Sequence, residues 1–201
     1  MAHAQTVRAS KLAAPLVGLL LSAACTAEPP PVYGQLGEFS LTDQLGRPFG
    51  SKELSGKVWV ANFIFTRCQT VCPAFSARMA MVQKGALGLG PDLHLVSFSV
   101  DPEYDTPARL EAYGARYGAL TERWSFLTGP LDAVKALVTD GLKISMGKDP
   151  RVDDEVAAIF HGTHFVLMDR QLQIRGYVDN REVTSVQEVL RGARQLLDQG
   201  P

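Results

Sequence analysis

At 201 residues the chain has room for one ordinary domain and a leader. Some 46% of it is apolar and 20% charged, the balance of a folded globular domain and not of a disordered tail. A formal net charge of −1 lacks the excess of base that a nucleic-acid binder carries, so no nucleic-acid partner is expected.

The chain opens as an export leader. Arg8 and Lys11 precede an apolar run from Leu12 to Ala24, which has signal-peptide length and is short for a bilayer span. Residues 1–24 are therefore read as a signal peptide. The run ends Leu21-Ser22-Ala23-Ala24-Cys25. Small residues before a cysteine resemble a bacterial lipobox, although Ser22 stands where leucine is usual and Leu21 is one residue early. Either Cys25 carries a lipid, or an ordinary peptidase cuts near Ala24 and Cys25 is a spare thiol; an unpaired cysteine in an exported protein favours the lipid. Residues 25–37, with Pro29-Pro30-Pro31, read as a lipid-anchored tether, and 38–201 as the folded domain. Both outcomes place it in the cell envelope, on the periplasmic side; the lipid would hold it to the membrane by its N-terminus.

A short hairpin is expected from Phe39–Leu41 and Arg47–Phe49, turning at Gly46. Val58 to Phe65 is a continuous apolar run, long enough for a strand buried on both faces. After Pro73, apolar residues at 75, 79, 82 and 86 have helical spacing. Leu93 to Val100 reads as a strand. Asp105-Thr106-Pro107 starts a helix, with either of the first two as cap. Ser125–Leu127 is a short strand. Gly129-Pro130 opens a helix with Leu131, Val134, Leu137 and Val138 on one face. Residues 143–160 carry no period. Phe165–Met168 and Leu172–Val178 form a second hairpin, and Thr184 or Ser185 caps a last helix to about Leu197. Alternating strands and helices that end in an antiparallel pair predict an α/β domain: a mixed central sheet in three layers, helices on both faces.

The chemistry concentrates where the first long strand hands over to a helix, as open α/β sheets arrange it. Cys68 and Cys72 stand there as C-x-x-x-C, one residue wider than the C-x-x-C of thioredoxin-like redox motifs. At i and i+4 of a helical turn two sulfurs lie on one face, so they can share a metal or oxidise to a Cys68–Cys72 disulfide. As a purely structural disulfide the pair would close a very small loop and stabilise little. Two thiolates are too few for a closed zinc site, and soft thiolates select Cu(I). His161-Gly162-Thr163-His164 supplies imidazoles at a strand entrance. Three apart in an extended segment, the two rings point to opposite faces, so at most one meets the thiols. His94 is expected to be hydrogen-bonded or solvated. Asp101, at the end of a neighbouring strand, could lie near the dithiol, and Met146 is the one methionine outside an obvious core position.

Three segments in order, FTRCQTVCP, SVDPEYDTPARLEAYG and HGTHFVLMDRQ, resemble the Sco/SenC family of exported, membrane-anchored copper proteins. The resemblance spans roughly residues 38–198. It implies a thioredoxin-like fold and one copper, Cu(I) or Cu(II), held by Cys68, Cys72 and a distal histidine. Counting back from Asp169, that histidine is His161 and not His164. It implies a metallochaperone role in assembling the copper centre of cytochrome c oxidase, with an oxidase subunit or another copper chaperone as partner. Some members are instead similar to thiol-disulfide reductases, in which Cys68 and Cys72 would be the catalytic redox pair; a peroxidase of the peroxiredoxin type is a third possibility. The chain departs from the family at Gln69, where proline is frequent, and at Phe160, where an aspartate often precedes the histidine.

Overall fold

The computed structural model describes Met1 and residues 30–200; the leader and Cys25 lie outside the described residues. In chain order the elements are β1 (Gly34–Gln35), β2 (Ser40–Asp43), β3 (Pro48–Gly50), the single turn α1 (Ser51–Leu54), β4 (Val58–Ile64) and α2 (Cys72–Ala86). There follow β5 (Leu93–Ser99), α3 (Pro107–Arg116), β6 (Trp124–Thr128), α4 (Leu131–Lys135) with a π-turn over Ala136–Gly141, and β7 (Met146–Lys148). The chain finishes with β8 (Ile159–His161), β9 (His164–Met168), β10 (Gln173–Asp179) and α5 (Ser185–Asp198). No helix among the described residues is long and apolar enough to cross a membrane.

The sheet is organised on β4. All seven of its residues are buried, because it is covered on both faces and paired on both edges. It runs parallel to β5 and antiparallel to β9, within an eight-stranded order β1-β10-β9-β4-β5-β6-β2-β3. Successive side chains of β4 leave on opposite faces. Trp59, Ala61 and Phe63 join the core under α4, while Val58, Val60 and Ile64 join the core under α2, α3 and α5. The two cores are why one strand reads as an unbroken apolar run.

β5 is also buried along its whole length, although its sequence alternates in part. Its polar positions are satisfied inside: His94 Nε2 lies 2.9 Å from Ser125 Oγ, Ser97 donates to Asn62 Oδ1 at 2.5 Å, and Ser99 donates to Asp105 at 2.6 Å. Buried polar groups need such partners.

Two expectations need correcting, and one segment without a reading gains a structure. The tether expected over 25–37 overlaps the fold: Gly34–Gln35 pairs with β10, and Leu36 is buried. A two-residue strand at a sheet edge has no period to show. Leu131, expected on the buried face of its helix, is the first helical residue and 39% exposed, while Val134, Leu137 and Val138 turn inward. The segment without a period, 143–160, contains a separate antiparallel ribbon of β7 and β8, registered Met146 to His161, Gly147 to Phe160 and Lys148 to Ile159.

Candidate metal centre

The site is built from two pieces of chain 89 positions apart. The first is the turn between β4 and α2. Cys72 is the first helical residue, Val71 flanks it and Pro73 sits in the first turn, where its missing N–H has no intrahelical partner. Cys68 is therefore not on the helix, as the i, i+4 argument supposed; it lies in the preceding turn, its N–H donating to Phe65 O at 3.2 Å. The two sulfurs come together through that turn. The second piece is β8, whose last residue is His161.

The structure brings Cys72 and His161 into contact: Cys72 Sγ lies 3.6 Å from His161 Nε2. His161 Nδ1 donates to the Gly162 carbonyl at 2.9 Å. That bond assigns the ring proton to Nδ1 and leaves the Nε2 lone pair facing sulfur. The carbonyl thus does the orienting for which Phe160 offers no carboxylate. Phe65 meets the imidazole edge-on, ring centroids 6.0 Å apart. His161 is pulled below its ordinary pKa, chiefly by burial, which favours the neutral, ligating form.

Both cysteines are free thiols and buried, Cys72 completely. A hydrogen bond from the Cys72 thiol pulls Cys68 well down, towards thiolate, while the same bond and burial push Cys72 up. Cys68 Sγ is turned onto the Thr70 hydroxyl at 3.5 Å. No three His, Cys, Asp or Glu side chains among the described residues are gathered closely enough to hold a metal; the close approach shown directly is that of Cys72 and His161. The Cys72–His161 spacing itself fits one ion, since ligand atoms about 2.0 and 2.3 Å from a shared centre at a near-tetrahedral angle stand roughly 3.5 Å apart. An open cleft of about 530 Å³ leads to the pair, lined by Phe65, Cys68, Gln69, Thr70, Phe160 and His161 among others.

His164 is not part of this arrangement. It begins β9 in the main sheet, opposite Asp179, with its ring against Tyr177. The two histidines separate because Gly162 and Thr163 step from the ribbon to the sheet, not because they alternate on one strand. His94 is buried on β5, bonded to Ser125 and stacked on Phe49 at 5.6 Å. Met146 is buried in the core under α4 as the register partner of His161.

The acidic motif does more than cap a helix. Thr106 is the cap, its side chain accepting from Arg109 N. Asp105, fully buried, accepts from the Thr66 N–H (3.1 Å), the Thr66 hydroxyl (2.5 Å) and the Ser99 hydroxyl (2.6 Å). It therefore fixes the turn that presents Cys68, a role hidden behind its good fit as a cap. Asp101 reaches the dithiol turn through Arg67, whose Nε donates to Asp101 Oδ2 at 2.6 Å.

The SCO1/SenC family model matches residues 29–198. The chain is 34% identical over 147 residues to a SCO1 protein homolog of Bacillus subtilis, a match covering 69% of this chain and 70% of that one. It is 30% identical over 138 residues to a SCO2-like protein of Rickettsia typhi, covering 68% and 66%. A crystal structure of a SCO1/SenC family lipoprotein from Bacillus anthracis superposes with a TM-score of 0.74 at 37% identity, over 81% of this chain and 94% of that one. The copper-bound structure of Bradyrhizobium japonicum ScoI superposes at 0.68 and 25%, over 81% and 99%. The fold is thioredoxin-like, and the chain belongs to the SCO1/SenC family.

Proposed function

We propose that this chain is an exported copper metallochaperone that holds one copper ion through Cys68, Cys72 and His161 and passes it on in the assembly of cytochrome c oxidase. The observation that carries the reading is the 3.6 Å approach of His161 Nε2 to Cys72 Sγ with its lone pair free. Two soft sulfurs and one imidazole suit copper. The copper bound to the Bradyrhizobium relative, and a solved relative, BsSco, described as a member of the Sco family of cytochrome c oxidase assembly proteins, support it. Loading displaces the proton that Cys72 keeps, so affinity rises with pH. Release runs by exchange with a partner's ligands at Cys68, the sulfur nearer the cleft. The lipoprotein neighbour supports residues 1–24 as a signal peptide and Cys25 as a lipid attachment point on the envelope side of a membrane.

One observation favours a second activity. The thiols are unequal, Cys68 tending to thiolate and Cys72 to thiol, the pattern of an attacking and a resolving cysteine. Cys68 would attack a partner disulfide and release one partner thiolate. Cys72 would then attack Cys68, leaving a Cys68–Cys72 disulfide and a reduced partner.

The test is to titrate the reduced protein with copper and count ions bound. One equivalent is expected for the wild type, with Cys68→Ala and Cys72→Ala each losing tight binding. Full-affinity copper in Cys68→Ala would refute the reading. His161→Ala should lose copper affinity yet keep any disulfide reductase turnover, which separates the two activities.

A further inference from the structure

Arg67 precedes Cys68, and neither ligand set nor thiol exchange uses it. Its guanidinium joins three segments. On the inside, Nε donates to Asp101 Oδ2 at 2.6 Å, the carboxylate being buried at the end of β5. On the outside, Nη1 and Nη2 face the two oxygens of Glu155 at 3.4 and 3.3 Å. The Tyr104 ring lies 4.6 Å from Cζ and steadies the plane. Glu155 belongs to the loop joining β7 to β8, six residues before His161. Lys148 of β7 adds a second cation, 3.7 Å from Glu155 and 3.7 Å from Glu103. A ribbon of three residue pairs is thus tied by charge to the turn that carries the thiols.

We propose that Arg67 is a positioning residue, a clamp that holds the β7–β8 ribbon and His161 over Cys68 and Cys72, and that opening of its pair with Glu155 sets the rate at which copper leaves. The proposal rests on the copper reading above. The two halves of the clamp differ in strength. On the inner side the Asp101 carboxylate is buried and bonded at 2.6 Å to a half-buried guanidinium, so this contact is firm. The outer pair is wet, with Glu155 67% exposed, so it is weak and screened by salt. A firm anchor with a weak outer contact lets the ribbon lift without disturbing the thiol turn. The fork of a guanidinium is needed to meet both carboxylates at once.

Glu155 is exposed, so Glu155→Lys leaves the fold intact while placing like charge beside Arg67 and Lys148. In metal-free, reduced protein, amides of residues 149–161 should exchange about threefold to tenfold faster in Glu155→Lys than in the wild type, with other segments unchanged. Raising salt to 0.5 M, a condition of the test set well above the screening range, should move the wild type the same way and the variant little. Arg67→Lys, which keeps the inner pair but not the fork, should fall between. With Cu(I) loaded, transfer to an added Cu(I) chelator should quicken by the same factor at unchanged stoichiometry. Wild-type exchange in Glu155→Lys overturns the clamp, and faster exchange without faster transfer overturns its link to release. A wild type that binds no copper refutes the copper reading, while the exchange comparison still decides the clamp.

Discussion

At the scale of single residues, position in the fold decides which histidine does what. His161 keeps its Nε2 lone pair for sulfur because its one ring proton, on Nδ1, is donated to the Gly162 carbonyl. His94 is instead sealed into the sheet, and burial, with Lys57 and Arg123 adding to it, lowers its pKa from 6.5 to about 4. The sign follows directly. Between those values the unfolded chain binds a proton on His94 and the folded one does not, so stability rises with pH across the window and is lost as pH falls from 6.5 to 4. The loss is on the order of 3 kcal/mol. Denaturant titrations from pH 4 to 7 should show this slope in the wild type and a shallower one in His94→Gln; equal slopes would contradict it. The Cys68–Cys72 pair was legible in the sequence because C-x-x-x-C-P at a strand end is a local pattern; the residues alone left His161 and His164 open, and the family resemblance pointed to His161. Asp105 was not. Its partners Thr66 and Ser99 lie on different segments, and its neighbours make it an apparent cap.

At the scale of elements, length separated what could be read from what could not. β4 is long enough to show an unbroken apolar run, and α2 and α5 are long enough to carry a helical period; in α5, Val186, Val189, Ala193 and Leu196 turn inward together. The ribbon that delivers His161 has three residues per strand, too few to show alternation, and its pairing is settled by tertiary contacts. Gly162 is the tight point where the ribbon hands over to β9. A Cβ there would stand 2.8 Å from Ile144 Cγ2. Gly162→Ala should therefore cost about 1–3 kcal/mol by overpacking and weaken copper binding by shifting the adjacent imidazole. Chemical denaturation and copper titration of that variant check both effects, and wild-type values for both would show that the ribbon has slack.

At the scale of the whole molecule, the site exists only because both cores form. The core under α4 holds Phe65, Cys68, Cys72 and Ile159 together, so the thiol turn and the ribbon meet when that layer closes. The other core fixes α2 against β4 through Met79 and Val82, which sets where the helix presents Cys72. The fold class, a mixed sheet with helices on both faces, could be anticipated from the alternation of strands and helices, whereas the pairing of α2 with α5 in one layer, the edge strand β1 and the ribbon needed the closed structure. The most direct measurement is the charge-transfer absorption of Cu(II) added to the reduced protein, compared among wild type, His161→Ala and His164→Ala. The account expects wild type and His164→Ala to share one thiolate-to-copper spectrum and His161→Ala to lose or shift it. An unchanged spectrum in His161→Ala, or its loss in His164→Ala, would contradict the account.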